Sequence, residues 1–407
     1  MSAQAIPLPR LGMDLLSEDA QLPHGAVRRA VNVDIDRDGQ FSARGGFRTH
    51  LSGSGFCAIG AWGQRVWVQR GGQVFWLLPD RRLAPLLDAG GSQPVAAHVH
   101  NGDLWLAAAS GLWRVRAGQD DARQASVVDA RPRVSGTDTG ALTPGVYGVA
   151  LSLIEADGTE SPAVWLGAVR SGGGLALDGL PVRMGMRWQV YLTPADGDVL
   201  YAAERVDALL PRLAVGAPPA GQVCETLGLA PLPGGHAVCA KGARLYVARG
   251  DTLWFSRPFR PWLHHPAHDF VRFVGRIRVL LATGGGLYVG DDSGVWWLGG
   301  DDPDSARMAL VTDARAVQDS GLLLRQTPGG APQALWLGEQ GYMLGDAAGQ
   351  VRAMQPGRIA VDAAHTGRSV YLRRNGRAQV VTLTAIYEPR ALAVPLGQAM
   401  DLPQGVH

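Results

Sequence analysis

Two groups of acidic side chains and two clusters of histidines in this 407-residue chain have the types and spacing that metal binding or acid–base catalysis requires. The first acidic group is Asp34, Asp36 and Asp38, followed by Gly39, which matches the opening of a calcium-binding loop. Such a loop also needs a late bidentate carboxylate, but its twelfth position here is Gly45. Asp-Gly is also a strong signal for a two-residue hairpin turn. We therefore expect a hairpin whose alternate aspartates face water, with a calcium site as the alternative.

The histidines form two clusters, and both have spacings that suit a transition metal. A proline inside the first cluster breaks helical geometry, and Asp269 is the one acidic residue beside it. No third ligand for the second cluster can be named from the sequence. We expect the first cluster in a solvated loop between strands and the second at a surface or strand edge, with metal sites as the alternative. The clusters are His264, His265 and His268, and His98 and His100.

Paired carboxylates at Asp291–Asp292 and beside Asp301 are of the kind that glycosidases use as acid and base. They lie in Gly- and Ser-rich turns, where aspartate commonly serves the backbone. The chain has no G-x-S-x-G motif, no P-loop and no dinucleotide-binding fingerprint. We predict no catalytic, cofactor-binding or metal-binding residues, and a protein that is not an enzyme.

The elements that carry these residues are strands. Apolar residues make up 46% of the chain and charged residues 18%, with 55 glycines and 26 prolines, which is typical of a folded, turn-rich, all-β protein. A formal net charge of +2 gives no reason to expect a nucleic-acid or membrane surface as partner.

Cys57, Cys224 and Cys239 are odd in number and lack metal-binding spacing, so we expect free, buried thiols. The sequence shows no signal-peptide pattern and no membrane-spanning apolar run. We expect a protein that is made soluble, without classical export.

One short phrase recurs along the chain: an apolar–aromatic–apolar triplet, a Gly-containing turn, and a second apolar stretch. Each copy predicts a β-hairpin, and a hairpin alone cannot bury its apolar face. Repetition therefore predicts a β-propeller-like array of hairpin blades, five to seven in number. The aromatic residues at the centres of the six triplets are Trp67, Trp105, Tyr246, Tyr288, Trp336 and Tyr371.

The phrase is absent from about residue 132 to residue 228, where six or seven short strands with Asp-Gly turns are predicted instead. That number and spacing indicate a fibronectin-III- or immunoglobulin-like β-sandwich. We therefore predict three parts: propeller over 1–131, inserted sandwich over 132–228, and propeller again over 229–407.

Three segments resemble the tail nozzle proteins of short-tailed bacteriophages, which are also called tail tubular or tail hub proteins. Segment 30–47 is similar to the N-terminal hairpin of that family, with Phe41 where the family has leucine. Segment 253–303 resembles its run of an aromatic strand, a proline and a Gly-Asp-Pro ending. Segments 145–162 and 188–197 resemble its fibronectin-like module.

The resemblance implies a virion protein of the phage tail, assembled in the host cytoplasm. It implies a homo-oligomeric ring, a hexamer, that contacts head–tail adaptor or portal proteins above and tail fibre or needle proteins below. Genomic DNA would pass through the lumen during ejection without sequence-specific binding, and no membrane span is expected.

Two other functions remain open at the level of sequence. One is a propeller-fold glycan hydrolase or lyase, which would need convergent carboxylates such as Asp291 or Asp301. The other is a monomeric propeller that binds peptides. A fold alone does not decide among them.

Overall fold

The computed structural model describes residues 11–30, 33–35, 40–43, 49, 51–324, 330–362, 365–374 and 377–386. In these residues the regular structure is all β, with only two short 3-10 turns, at Asp19–Gln21 and Pro303–Ser305. The prediction of an all-β protein is confirmed.

The N-terminal part contains two small two-stranded sheets. A parallel pair is followed by an antiparallel hairpin. Their strands are β1 (Gly12–Met13), β2 (Ala26–Val27), β3 (Val33–Ile35) and β4 (Phe41–Ala43).

The first two blades follow directly, and each is a four-stranded antiparallel sheet in which sequential strands are neighbours. Blade 1 consists of β5 (Phe56–Trp62), β6 (Arg65–Arg70), β7 (Gln73–Leu77) and β8 (Leu83–Asp88). Blade 2 consists of β9 (Ala96–His100), β10 (Asp103–Ala108), β11 (Gly111–Val115) and β12 (Ala122–Arg123).

The inserted part folds as a two-layer sandwich of seven strands, which lie inside the predicted range 132–228. The strands are β13 (Arg133–Thr137), β14 (Gly145–Ile154), β15 (Val164–Ser171), β16 (Gly174–Asp178), β17 (Arg187–Leu192), β18 (Tyr201–Asp207) and β19 (Arg212–Val215). One sheet has the order β13-β16-β19 and the other β15-β14-β17-β18. This order differs from the ABED and CFG sheets of an immunoglobulin constant domain. Both sheets contribute to one core around Trp188, Leu151 and Leu177.

Three more blades complete the array. Blade 3 consists of β21 (Ala237–Lys241), β22 (Arg244–Arg249), β23 (Thr252–Phe255) and β25 (Phe270–Arg272), and a separate small pair is formed by β20 (Ala230–Pro231) and β24 (Leu263–His264). Blade 4 consists of β26 (Val279–Ala282), β27 (Gly286–Asp291), β28 (Gly294–Gly299) and β29 (Arg307–Thr312). Blade 5 consists of β30 (Leu322–Leu324), β31 (Gln333–Gly338), β32 (Gly341–Gly345) and β33 (Val351–Ala353). A two-stranded ribbon follows, formed by β34 (His365–Arg374) and β35 (Arg377–Ile386).

The recurring aromatic residue lies on the second strand of every four-stranded blade. Trp67, Trp105, Tyr246, Tyr288 and Trp336 are each at most 2% exposed and fill the layers between blades. One apolar cluster joins blades 1 and 2, another blades 2 and 3, and further clusters join blades 3 to 4 and 4 to 5. Blade 2 therefore packs directly on blade 3 although the sandwich separates them in sequence, and the propeller-like array with an inserted sandwich is confirmed.

The ribbon occupies the place of a sixth blade between blade 5 and blade 1. Thr366 forms a parallel bridge with Gln318 beside blade 5, and the Ser369 hydroxyl donates to the Ser320 carbonyl over 2.6 Å. On the side of blade 1, Arg368 on β34 lies near enough to Cys57 on β5 for its charge to act on that thiol. Burial raises the pKa of Cys57, and the positive charge of Arg368 opposes the rise. The sixth aromatic, Tyr371, is exposed here.

Candidate functional site

The carboxylates considered for acid–base chemistry lie in turns, as predicted, and each has a bonding role there. Asp291 ends β27 and is fully buried, and its Oδ1 accepts hydrogen bonds from the Ser293 backbone N–H and hydroxyl and from Trp296 Nε1. Asp292 pairs with Arg278 over 2.6 Å. These two neighbours therefore face different environments and do not form a convergent pair.

Asp301 is an exposed carboxylate that pairs with Lys241 over 2.8 Å. The hydrogen bond from Lys241 is the main reason why the pKa of Asp301 is lowered. Because Lys241 belongs to blade 3 and Asp301 lies between β28 and β29 of blade 4, this ion pair joins neighbouring blades.

The first histidine cluster is partly buried, so the expectation of a solvated loop is wrong for His264. That ring packs edge-on against Trp254, with centroids 5.1 Å apart, and its Nδ1 lies 3.1 Å from the Ala230 carbonyl oxygen. Burial is the main cause that lowers the pKa of His264. Asp269 is also buried, pairs with Arg257 over 3.2 Å, and accepts the His265 backbone N–H.

The second cluster lies on β9, where His100 is buried and His98 is half-buried. Because β9 is the edge strand of blade 2, both histidines lie at a strand edge, as expected, although His100 is buried there. Burial, helped by the positive charge of His100, lowers the pKa of His98 to about 4. Burial also lowers the pKa of His100, against the opposing effect of Asp103.

No group of three or more metal-ligating side chains occurs among the described residues. Asp36 and Asp38, with Gly45, lie outside the described residues, as does the side chain of Asp34 on β3. The calcium alternative for that hairpin stays a sequence prediction. The three cysteines are free thiols: Cys239 is buried, and Cys57 and Cys224 are half-buried.

The most concentrated polar constellation lies where the sandwich meets blade 2. Arg114 on β11 pairs with Asp103 over 2.6 Å and reaches Asp157 of the sandwich at 3.5 Å. Arg116 pairs with Glu155 over 2.9 Å and also contacts Asp157. These contacts join the β14–β15 turn of the sandwich to the propeller through two guanidinium groups.

Further contacts hold the same turn. The Ser126 hydroxyl donates to Glu155 over 2.6 Å, and Trp262 Nε1 donates to the Glu160 carbonyl over 2.8 Å. Arg114 also lies over the Trp105 ring, 5.4 Å from its centroid. Burial would raise the pKa of Asp157, but hydrogen bonds from Thr159 and the two guanidinium charges outweigh it, so the pKa is lowered. The Asp157 carboxylate is therefore held in its charged form.

A cavity of about 440 Å³ opens at this junction, a size within the range of small-ligand pockets. Glu155 is the one carboxylate in its wall, whereas four arginines line it: Arg114, Arg116, Arg123 and Arg249. Trp105 and Trp262 form part of the wall. Sequence reasoning missed this site, because Asp157 belongs to one of the predicted Asp-Gly turns and nothing in the spacing pairs it with Arg114 and Arg116.

The sandwich also exposes apolar side chains on two of its loops. Backbone hydrogen bonds from Arg183 to Ala208 and from Leu180 to Pro211 hold two loops side by side. Met184 is 84% exposed and Leu210 66%, and Val182 and Leu209 are exposed beside them. Clustered apolar exposure of this kind marks surfaces that contact other molecules.

Comparisons with known proteins find remote similarity to several solved structures. No protein family matches the chain, and no curated protein matches it. A crystal structure of BBS1N in complex with ARL6DN is 12% identical at a TM-score of 0.32, over 81% of this chain and 87% of that one. A putative 6-phosphogluconolactonase from Bacteroides fragilis NCTC 9343 is 14% identical at a TM-score of 0.30, over 75% and 84%. The N-terminal domain of Nup159 is 10% identical at a TM-score of 0.29, over 81% and 73%. Scores this low carry no functional argument.

Among the residues that the structure describes, no helix has the length and apolar character needed to span a membrane.

Proposed function

We propose that this chain is a non-enzymatic structural subunit of a short phage tail, in the nozzle or hub ring. In that position it joins the portal–adaptor assembly above to the tail tip, fibres or needle below, and its ring encloses the path of the ejected DNA. It would be assembled in the host cytoplasm and reside in the virion tail. The observation that carries the proposal is a propeller-like array interrupted between blades 2 and 3 by a sandwich. Segments 145–162 and 188–197, which resemble the fibronectin-like module of tail nozzle proteins, lie in this sandwich, and this supports the proposal.

The last part of segment 253–303, which resembles tail nozzle proteins, has a structural role, and this supports a scaffold function. Residues 286–303 form the two central strands of blade 4 and the start of the turn between β28 and β29. Lys241 Nζ donates to the Gly300 carbonyl over 2.6 Å, and Arg244 pairs with Asp302 over 3.2 Å. The Gly-Asp-Asp-Pro turn therefore fastens blade 4 to blade 3.

The exposed apolar surface also favours an assembly subunit. A lone exposed apolar residue is ordinary, but four on two adjacent loops make a patch of the kind found at interfaces. Phe259 and Val274 are similarly exposed on other loops of the propeller. A subunit with neighbours on several sides would cover such side chains, whereas a monomer would leave them in water.

A glycan hydrolase is less well supported, because such enzymes need two carboxyl groups about 5–10 Å apart at one site. The junction cavity has a single carboxylate in its wall, Glu155, which already pairs with Arg116. Asp291 is occupied by its turn and Asp301 by Lys241.

Native mass spectrometry and sedimentation of the purified chain test the proposal. We expect closed assemblies whose mass is six times that of the 43.0 kDa chain. A protein that stays monomeric at every concentration, and that binds no portal–adaptor ring, would contradict the proposal. Turnover of a glycan that Asp291→Ala or Asp301→Ala abolishes would favour the hydrolase instead.

A further inference from the structure

Strand number distinguishes the sixth position of the array from the other five. Blades 1 to 5 each have four antiparallel strands, whereas the described strands of the ribbon number two. Among the described residues, two further antiparallel pairs belong to no larger sheet of the propeller or the sandwich. They are the hairpin β3–β4 and the small β20–β24 pair. The ribbon and the hairpin together have the strand number of one blade.

The outer edge of the ribbon lacks the protection that the outer edges of the other blades have. The outermost strands of blades 2, 3 and 5 are only two or three residues long. The outermost strand of blade 1 contains Pro85, and that of blade 4 has an irregular register near Val311. Short strands, prolines and bulges are the devices that keep edges from pairing.

Strand β35 has none of these devices. It runs for ten residues in unbroken register with β34, without proline or glycine, and is rich in valine and threonine. Its other edge pairs with no described strand. Leu383 on this strand is 63% exposed. An edge of this kind is a template for a strand from another chain, because only an extended backbone satisfies its N–H and C=O groups.

The hairpin β3–β4 fits that edge in size and in position along the chain. Its three-residue strands are as short as the outermost strands of blades 3 and 5, and Phe41 on β4 is exposed. The residues before the hairpin contact the segment that precedes the ribbon. The Leu15 N–H donates to the Arg358 carbonyl over 2.8 Å, and Arg358 Nη1 donates to the Leu11 carbonyl over 2.6 Å. Within one chain, however, the hairpin and the ribbon belong to separate sheets.

We infer that the hairpin β3–β4 of a second copy of this chain adds to the edge of β35 and completes the sixth blade with four strands. Each copy then donates one hairpin and receives one, which is a heterologous contact. Such contacts generate a ring when the rotation closes. The inference rests on the proposed ring function and names the contact that would join its subunits.

Crosslinking between two variants that each gain one cysteine tests the inference. Phe41→Cys and Leu383→Cys are made separately, co-expressed, and treated with a short bismaleimide, with the unsubstituted chain as control for Cys57, Cys224 and Cys239. We expect a covalent dimer that contains one copy of each variant, and a ladder of higher species when both substitutions are in one chain. An intramolecular crosslink in that double variant, or the absence of any crosslink above the control, overturns the inference.

A charge placed on the edge gives an independent readout. Leu383→Asp should abolish the assembled species and leave the near-UV circular dichroism of the monomer unchanged, since the side chain is exposed. Met308→Asp is the matched control, because Met308 is an exposed apolar residue on the outermost strand of blade 4. Rings that survive Leu383→Asp would overturn this contact and leave the proposed function standing, whereas an unsubstituted chain that never assembles would overturn both.

Discussion

The layer between blades 4 and 5 is packed so closely that a single added methyl group should destabilise it. A Cβ at Gly345 would lie 2.4 Å from Cζ of Tyr288 and 2.8 Å from its hydroxyl oxygen. Carbon atoms in van der Waals contact are normally about 3.5–4.0 Å apart, so the ring would have to move by about 1 Å. Tyr288 has little freedom to move, because it packs on Trp297 and Trp336 and its hydroxyl donates to the Asp346 carbonyl over 2.8 Å. Overpacking of this kind costs about 1–3 kcal/mol, so Gly345→Ala should lower the free energy of unfolding by that amount.

The two residues should also be strongly coupled in a double-mutant cycle. Tyr288→Ala alone should cost about 3–5 kcal/mol by analogy with other buried aromatic residues, and Gly345→Ala should add almost nothing to it. The assay is urea denaturation followed by tryptophan fluorescence, with Gly284→Ala as the control, because a Cβ there meets its nearest atom only at 4.0 Å. Additive losses in the double variant would show that Gly345 does not lie against Tyr288, and the order of blades would be wrong.

Three more predictions concern the histidines, the junction and the turn carboxylates. In the folded chain the pKa of His98 is lowered to about 4. As the pH drops from about 6.5 towards about 4, His98 is therefore protonated in the unfolded chain but still neutral in the folded chain. The free energy of unfolding should fall over this range. Urea titrations at the two ends of that pH range measure this decrease in the free energy of unfolding. The decrease should be smaller by up to about 3 kcal/mol in His98→Gln, and an equal decrease in the variant would refute the lowered pKa of His98. Arg116→Gln leaves the almost buried Glu155 carboxylate without its cation, so the free energy of unfolding should fall by about 1–3 kcal/mol and amide exchange in the β14–β15 turn should become faster. Arg187→Gln is the control, because the Arg187–Asp207 pair is exposed, and it should change the free energy of unfolding by less than about 0.5 kcal/mol. Asp291→Ala removes three hydrogen bonds from the β27–β28 turn and should lower the free energy of unfolding by about 1–3 kcal/mol in thermal or urea melts; an unchanged stability would contradict its structural role.

The blades could be predicted from the sequence because their signal is local. A triplet with a central aromatic residue, followed by a glycine turn, specifies two adjacent strands and the face that each buries. Trp105 and Tyr246 illustrate this: both lie at equivalent points of second strands although the sandwich separates them. The number of blades could not be predicted from local sequence patterns, because it depends on which strands, distant in sequence, pack together. The ribbon copy of the phrase keeps Tyr371 but has only one pairing partner.

The junction could not be predicted, because its partners are distant in sequence and each has an ordinary local explanation. Asp157 begins an Asp-Gly turn, and Gly158 adopts a φ of 84°, which explains both residues without reference to another domain. The guanidinium groups of Arg114 and Arg116 reach that turn only because blade 2 and the sandwich fold beside each other. His264 was similarly misjudged, because burial against Trp254 depends on the packing of a small strand pair that has no periodic pattern.

Electron microscopy of the purified, negatively stained protein tests the central claim most directly. The proposal of a tail ring predicts end-on views with a central channel and six-fold rotational symmetry, built from subunits that each carry a protruding sandwich. Fields that contain only single 43.0 kDa particles, both without and with a portal–adaptor ring and under conditions in which the chain is folded, would contradict it.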